Sequence, residues 1–362
     1  MRIGIDAREL CGRPTGVGRY LSGLVGEWSV SPGGRRHEFV LYAPHPLEQG
    51  VDTRRFATRV VGGSGGTAWE QRELPAAMAR DHLDVFFAPG YTAPIFTRTP
   101  VVVAIHDVSF AAHPEWFGAR EGLRRRLMTR KTAVAARAVT TLSEFSKHEL
   151  IDLLRVPDRK IHVIRPGVTA PGRLSGTRAQ SETAEPRVLY VGSIFNRRHL
   201  PDLLSAFGRV VRTHPRARLD LVGDNRTHPR VDLGKTIRRL HLDDAVTWHE
   251  YVPDTELEAL YQSARAFAFL SEYEGLGLTP LEALAVGVPS ILLDTPIARE
   301  CCGEAALYAP KGDVDAVAVA LDRLLFDDQT RRQLLAHAPA VLSRYDWATA
   351  AHQTLMVLEG AS

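Results

Sequence analysis

Cysteine is scarce in this chain. Three occur among 362 residues, Cys11, Cys301 and Cys302. An odd count gives no disulfide framework, and the adjacent pair Cys301-Cys302 lacks the spacing of a metal-binding motif. A reducing compartment is therefore expected. Long apolar runs are missing as well: none approaches the roughly 18 residues that would suggest a membrane span. The opening MRIGIDAREL mixes apolar residues with charges and does not read as a signal peptide. Neither sign of charge dominates. Lys and Arg number 45 against 42 Asp and Glu, a formal net charge of +3, so composition does not argue for nucleic acid. No carboxylate–histidine cluster suggests a metal, and there is no short internal repeat. These absences exclude a secreted disulfide scaffold and an integral membrane protein, and they point to the cytoplasm. What is present is ordinary for a globular chain, with 44% hydrophobic and 24% charged residues.

The length suggests two domains. Short apolar runs at Ile3–Ile5, Glu38–Tyr42, Val85–Ala88, Val101–Ile105, Ala138–Leu142 and His162–Ile164 read as buried strands. Amphipathic stretches such as Gly18–Trp28 and Arg120–Arg137 lie between them. Such alternation predicts a parallel sheet covered by helices. A segment rich in Pro, Gly, Ser and charge, Ala170–Pro186, then reads as a linker. The alternation restarts with strands at Arg187–Val191, Arg218–Val222, Val246–His249, Ala266–Leu270 and Ser290–Leu293. Helices are expected at His199–Thr213, Asp232–Leu240, Thr255–Ser263, Pro280–Val286, Val314–Phe326 and Asp328–Arg344. The predicted class is α/β, with two Rossmann-like domains facing a cleft: residues 1–170, a linker at 171–186, and residues 187–344.

The segment SEYEGLGLTPLEALAVGVPS, Ser271–Ser290, carries the strongest chemical signal. Gly275 and Gly277 allow a tight loop with backbone N–H groups open to a ligand. Thr279 suits a helix cap and Pro280 a first turn, so a positive helix end would face that loop, where phosphate binds well. Glu274 and Glu282 flank this feature. Carboxylates accept hydrogen bonds from hydroxyls, so a diphosphate between two polyols fits, which is the layout of a nucleotide sugar. Glu282 has a structural alternative, because Thr279 and Glu282 stand in the relation of a capping box.

The second unit opens with VLYVGSIFNRRHL. Gly192 ends a strand, and Arg197 and Arg198 stand before a helix. Two guanidiniums suit a diphosphate through forked, charge-assisted hydrogen bonds; a solvated basic loop is the alternative. Val222-Gly223-Asp224 ends another strand; Gly223 permits a close approach to a ligand, and a plain turn accounts for Asp224. In the first unit Gly12, Gly16 and Gly18 follow the first strand, without the dinucleotide fingerprint. His106 and Asp107 end the strand VVVAI, where a histidine can exchange a proton near neutrality. Ser143 or Ser146 can cap the following helix. Arg124, Arg125, Arg126, Arg130 and Lys131 form a basic helical run. A solvated face is the commoner outcome for such a run, and peripheral docking on anionic lipid at the inner membrane face is the other.

In their order, TGVGRY, HDVSF, LSEFSKHELI, VGSIFNRRHL, VGD, YVPDTELEALYQSA and SEYEGLGLTPLEALAVGVP resemble the retaining glycosyltransferases of family 4, which have the GT-B fold. The late YDWATAA resembles the helix, about 345–362, with which that family returns to its first domain. The resemblance covers nearly the whole chain. It implies transfer of a hexose from a nucleotide-diphosphate sugar, mannose from GDP-mannose before UDP-sugars, to a glycan or lipid-linked acceptor in polysaccharide biosynthesis. It implies no metal and no separate cofactor. Glu282 would bind the ribose and Glu274 the transferred sugar. Gly16, Gly192, Gly275, Gly277 and Leu278 would approach the donor, Arg197 and Arg198 would grip its diphosphate, and His106 would lie beside the reacting sugar. Arg198 replaces the family's usual lysine and His199 a common asparagine. A sugar-nucleotide epimerase or hydrolase, or a non-catalytic nucleotide-sugar binder, are the competing classes.

Overall fold

The computed structural model of the chain describes residues 1–12, 15–47, 55–170 and 186–362. They form two α/β units, one made of Met1–Gly167 with Tyr345–Ser362 and the other of Val168–Arg344. Apart from its end residues, the expected linker lies outside the described residues.

The first unit is built on seven strands: β1 (Arg2–Asp6), β2 (Glu38–Ala43), β3 (Ala57–Val60), β4 (Val85–Ala88), β5 (Val101–Ala104), β6 (Ala138–Thr141) and β7 (Ile161–Val163). They pair in the order β3-β2-β1-β4-β5-β6-β7, parallel throughout. Every residue of β4, β5 and β6 is buried, as expected of strands covered on both faces. The helices are α1 (Gly16–Val30), α2 (Leu74–Met78), α3 (Ser109–Ala112), α4 (Ala119–Ala135) and α5 (Glu144–Leu154). Helix α1 buries Tyr20, Leu21, Leu24, Val25 and Trp28, one helical stripe. Its N-cap is Thr15, whose hydroxyl accepts from Gly18 N at 3.0 Å. Ser143 caps α5 in the same way, accepting from Ser146 N at 3.1 Å.

The second unit carries β8 (Arg187–Val191), β9 (Arg218–Val222), β10 (Val246–His249), β11 (Ala266–Phe269), β12 (Ser290–Leu293) and β13 (Ala306–Ala309). Their order is β10-β9-β8-β11-β12-β13, again parallel. Its helices are α6 (Leu200–Thr213), α7 (Leu233–Arg239), α8 (Asp254–Ser263), α9 (Leu278–Ala285), α10 (Pro296–Cys302), α11 (Val314–Phe326), α12 (Asp328–Ala336) and α13 (Ala338–Leu342). The single helix expected over Asp328–Arg344 is thus two helices, because Pro339 has no N–H to continue the ladder. Strands β3 and β13 and helix α10 are not among the expected elements; β3 is largely exposed and lacks an apolar run.

Helix α14 (Trp347–Ala361) packs within the first unit. Trp28 Nε1 donates to Ala351 O at 3.0 Å. Trp347 sits so close to Gly23 and Gly167 that a Cβ there would come within 2.5 and 2.2 Å of it. Among the described residues, no helix is long and apolar enough to cross a membrane.

The topology locates the ligand edge in each unit. In the second, the chain runs outward from β8 to β10 and then returns to lay β11 on the other side of β8. The loops leaving β8 and β11 therefore diverge, and ligands of open α/β sheets bind at such a switch point. In the first unit the same point falls between β1 and β4.

Candidate functional site

The loop that leaves β8 begins at Gly192, whose φ of 141° favours glycine. A Cβ at Gly192 would lie 2.4 Å from Arg198 Nη1, and one at Gly223 would lie 2.0 Å from Gly192 O. These two glycines let the β8 and β9 loops pack together under the Arg198 guanidinium. A 3₁₀ turn, Asn196–Arg198, then leads through left-handed His199 into α6.

The loop leaving β11 supplies the partner. Glu274 Oε1 accepts from Arg198 Nε at 3.1 Å and Nη2 at 3.0 Å, and from Ser271 Oγ at 2.8 Å. Arg198 Nη1 also donates to Ser193 O at 2.7 Å, and the guanidinium lies 4.7 Å from the Phe269 ring centroid. Burial disfavours the Arg198 charge, but the Glu274 carboxylate beside it more than compensates and raises its pKa. All three donors to Glu274 use Oε1. Among the described residues no donor reaches Oε2, so the carboxylate is held fixed while one oxygen stays available to a hydroxyl.

A second link joins the same loops. Glu272 N donates to Arg197 O at 3.0 Å, and its Oε2 lies 3.1 Å from His199 Nε2 and pairs with Lys311. Burial alone would raise the Glu272 carboxyl, but Lys311 and His199 hold it below the ordinary carboxylate range. The Arg197 guanidinium covers the Phe195 ring at 4.4 Å.

Helix α9 begins earlier than the sequence suggests. Its N-cap is Gly277, with φ of 99° and no capping side chain, and Leu278 is its first residue. Thr279 therefore lies inside the helix and is not the cap. The Thr279–Glu282 capping box does not form, and that structural explanation of Glu282 falls away. Nothing lies within 4 Å of a Cβ placed on Gly277, so the start of α9 faces open space at that residue.

In the first unit, His106 follows β5 and is buried at 8% exposure. Its Nε2 is 2.6 Å from Pro89 O; a carbonyl can only accept, so Nε2 carries the proton. The Tyr20 ring meets it edge-on at 4.8 Å. Burial lowers its pKa below the ordinary imidazole value. That shift and the Nε2–Pro89 contact both favour the neutral ring. Gly16 starts α1 and faces open space, whereas at Gly18 a Cβ would lie 2.5 Å from Glu9 O. On α4, Arg124 and Arg125 pair with Glu121 at 2.9 and 2.7 Å, and their hydrogen bonds pull Glu121 down to about 2.

The structure thus brings Gly192, Arg198 and Glu274 together at one switch point, with Arg197, Gly275, Gly277, Leu278 and Glu282 on the same loops and helix. It adds Ser271, which the sequence reading did not assign, and the His199–Glu272–Lys311 cluster. Ser271 is the first residue of the segment that reading singled out, so its position three before Glu274 was the available signal. Among the described residues there is no group of three or more His, Cys, Asp or Glu that could hold a metal.

Residues 14–170 match the family model described as Glycosyltransferase Family 4, and residues 177–340 match Glycosyl transferases group 1. The chain belongs to the group 1 glycosyltransferases. One relative of this glycosyltransferase is O-antigen chain mannosyltransferase B of Escherichia coli, 27% identical over 285 residues, 76% of this chain and 74% of the relative. Another is GDP-mannose:cellobiosyl-diphosphopolyprenol alpha-mannosyltransferase of Xanthomonas oryzae pv. oryzae, 28% identical over 326 residues, 84% and 79% of the two chains. The fold matches Anabaena Alr3699/HepE, solved with UDP and glucose, at a TM-score of 0.73 and 20% identity over 99% of both chains. It also matches WaaG, a glycosyltransferase of lipopolysaccharide biosynthesis, at 0.73 and 15% identity, over 99% of this chain and 100% of that one.

Proposed function

We propose that this glycosyltransferase moves mannose from GDP-mannose to a lipid-linked sugar acceptor, with retention of anomeric configuration. The observation that carries the reading is the Glu274 carboxylate at the switch point, held through Oε1 by Arg198 and Ser271 with Oε2 open. Two relatives named as mannosyltransferases support the choice of sugar. One of them is named for GDP-mannose and a diphosphopolyprenol acceptor, which favours both substrates here.

In this mechanism the donor diphosphate lies against Arg197, Arg198 and the first N–H groups of α9. The guanidiniums and the helix end stabilise negative charge as the bond from the anomeric carbon to the diphosphate oxygen breaks. The acceptor hydroxyl attacks from the same face, and the departing phosphate takes its proton. Glu274 Oε2 accepts from a hydroxyl of the transferred sugar, and Glu282 accepts from the ribose. His106, neutral and anchored to Pro89, acts as a hydrogen-bonding contact and not as the base. The exposed stripe of Leu123 and Leu127 on α4, with basic Arg126, Arg130 and Lys131 around it, is proposed to rest on anionic lipid.

A thermal-shift series with GDP, UDP, ADP and dTDP tests the donor, since ligand at 100 times its Kd stabilises by about 2.7 kcal/mol. GDP is expected to give the largest shift, and GDP-mannose to yield an α-mannosylated product with a mannosyl- or glucosyl-lipid diphosphate. Stabilisation by UDP without GDP removes the donor assignment. Free mannose as the only product whatever acceptor is offered removes the transferase reading. Cosedimentation with phosphatidylglycerol vesicles, lost in Leu127→Glu, tests the membrane contact; binding unchanged in that variant refutes it.

A further inference from the structure

The first sheet has two charged edges, and they differ. At its carboxyl edge Arg8 pairs with Asp6 and Glu70, so that cation is answered within the fold. The amino edge is built otherwise. Strands β5, β6 and β7 are parallel neighbours, so all three begin on the same side of the sheet. Each is entered through a basic residue: Arg98 stands shortly before β5, Arg137 directly before β6, and Arg159-Lys160 directly before β7. The backbone joins these entries, with Arg137 N donating to Val101 O at 2.8 Å. All four cations line one hollow of about 670 Å³, whose lining contains no Asp or Glu.

Helix α4 ends at this hollow, and the last carbonyls of a helix favour a cation. Lys160 alone meets that need, its Nζ donating to Val134 O and to Ala136 O, each at 2.8 Å. The helix end therefore does not account for the three arginines. Asp158, the acid next to Arg159 in sequence, is taken by Lys147 at 2.7 Å. Among the described residues no carboxylate side chain pairs with Arg98, Arg137 or Arg159. Burial lowers the Lys160 pKa, and Arg159 and Arg137 lower it further, as crowded like charge should. An anion relieves that repulsion, and the forked guanidinium matches phosphate. A second hollow of about 630 Å³ shares Arg137 and Arg159 with the first and is walled by Val163, Ile164, Met356 and Val357. Met356 is 57% exposed, so apolar surface lies open beside the guanidiniums.

We infer that the amino edge of β5, β6 and β7 is a binding site for a phosphate monoester, its phosphate held by Arg98, Arg137 and Arg159 and its organic part against Met356 and Val357. The site uses no residue of the proposed transfer chemistry and none of the α4 cations assigned to lipid contact, so it stands apart from that reading.

The test is calorimetric titration of the full chain with hexyl phosphate, glycerol 3-phosphate and inorganic phosphate. Hexyl phosphate is expected to bind at least tenfold more tightly than inorganic phosphate, and Arg137→Ala/Arg159→Ala to weaken it at least tenfold. Binding at Arg197 and Arg198 would survive that double variant, so the loss locates the probe. Arg35→Ala/Arg36→Ala removes equal charge just before β2, outside both hollows, and should leave the affinity within twofold. All four of these arginines are exposed, so the variants are expected to fold. The two esters separate the sources of the phosphate. Tighter binding of hexyl phosphate than of glycerol 3-phosphate upholds a lipid headgroup; the reverse order overturns the apolar placement and leaves a polar phosphate ester. Binding of neither ester, or an affinity unchanged in Arg137→Ala/Arg159→Ala, overturns the site. So does an equal loss in both double variants, which reports net charge alone.

Discussion

Arg198 has two claims on it: Glu274 holds it in the free protein, and the donor diphosphate is proposed to use it during turnover. Glu274→Ala separates them. The two side chains are 12% and 18% exposed. Removing one partner of a fully buried pair costs roughly 3–5 kcal/mol; with this exposure the lower end, about 3 kcal/mol, applies. For a unit of this size that lowers Tm by roughly 6–12 °C. The guanidinium left behind is then unshared, so an incoming diphosphate gains a partner that no carboxylate competes for. Glu274→Ala is therefore expected to bind GDP at least as tightly as the unaltered protein while losing sugar transfer by a factor of about 100 or more, the scale of a lost transition-state contact. Arg198→Ala should do the reverse to GDP. A hydrogen bond to a charged group contributes about 1.5–3 kcal/mol, which is roughly 10- to 150-fold in Kd. Calorimetry with GDP and initial rates of mannosyl transfer, measured on both variants, decide the matter. If Glu274→Ala loses GDP affinity as far as Arg198→Ala does, the pair is one structural unit and the division of labour is wrong. If both variants transfer at near the unaltered rate, the site lies elsewhere.

Glu282→Gln should weaken GDP binding about tenfold, the loss of a charged acceptor to the ribose; unchanged GDP affinity would leave Glu282 with no ribose role. His106 has a lowered folded pKa, so its contribution to stability is complete above the unfolded value of about 6.5 and is lost as pH falls through the lower folded value. Urea midpoints between pH 7.5 and 5 should fall less steeply in His106→Asn, and identical slopes would show that burial of the neutral ring is not what the pH limb reports. Gly23→Ala should destabilise by about 1–3 kcal/mol through overpacking against Trp347; a melt unchanged from that of the unaltered protein would mean that α14 can shift aside.

The fold was legible where burial on both faces makes a strand a continuous apolar run, as in VFFA, VVVA and SILL. It was not legible at β3, a largely exposed strand whose residues carry no such run. The break between α12 and α13 was announced by Pro339, which the amphipathic pattern masked. Helix α9 shows the sharper limit. Thr279-Pro280 is a good start signal by composition, but Gly277 in the left-handed region begins the helix two residues earlier. A backbone torsion decided what side-chain preference could only suggest, and that decision also removed the capping explanation of Glu282.

The site divides along the same line. Its members were readable one loop at a time, because glycine, arginine and carboxylate at strand ends are local signals. Their pairing was not, since Arg198 and Glu274 are 76 residues apart and meet only because β11 is laid beside β8. The Asp6–Arg8–Glu70 cluster was missed for the same reason. Asp6 and Arg8 are neighbours in sequence, but Glu70 reaches them from 62 residues away, through a segment that the strand pattern did not assign. Both clusters sit where their sheet reverses its strand order. Each switch point joins loops that are distant in sequence, and the Arg198–Glu274 pair is not local capping or turn chemistry. That is the ground for reading the Arg198–Glu274 pair as a ligand site, and the variants at those two positions ask whether charge collected at a switch point serves a substrate or only the fold.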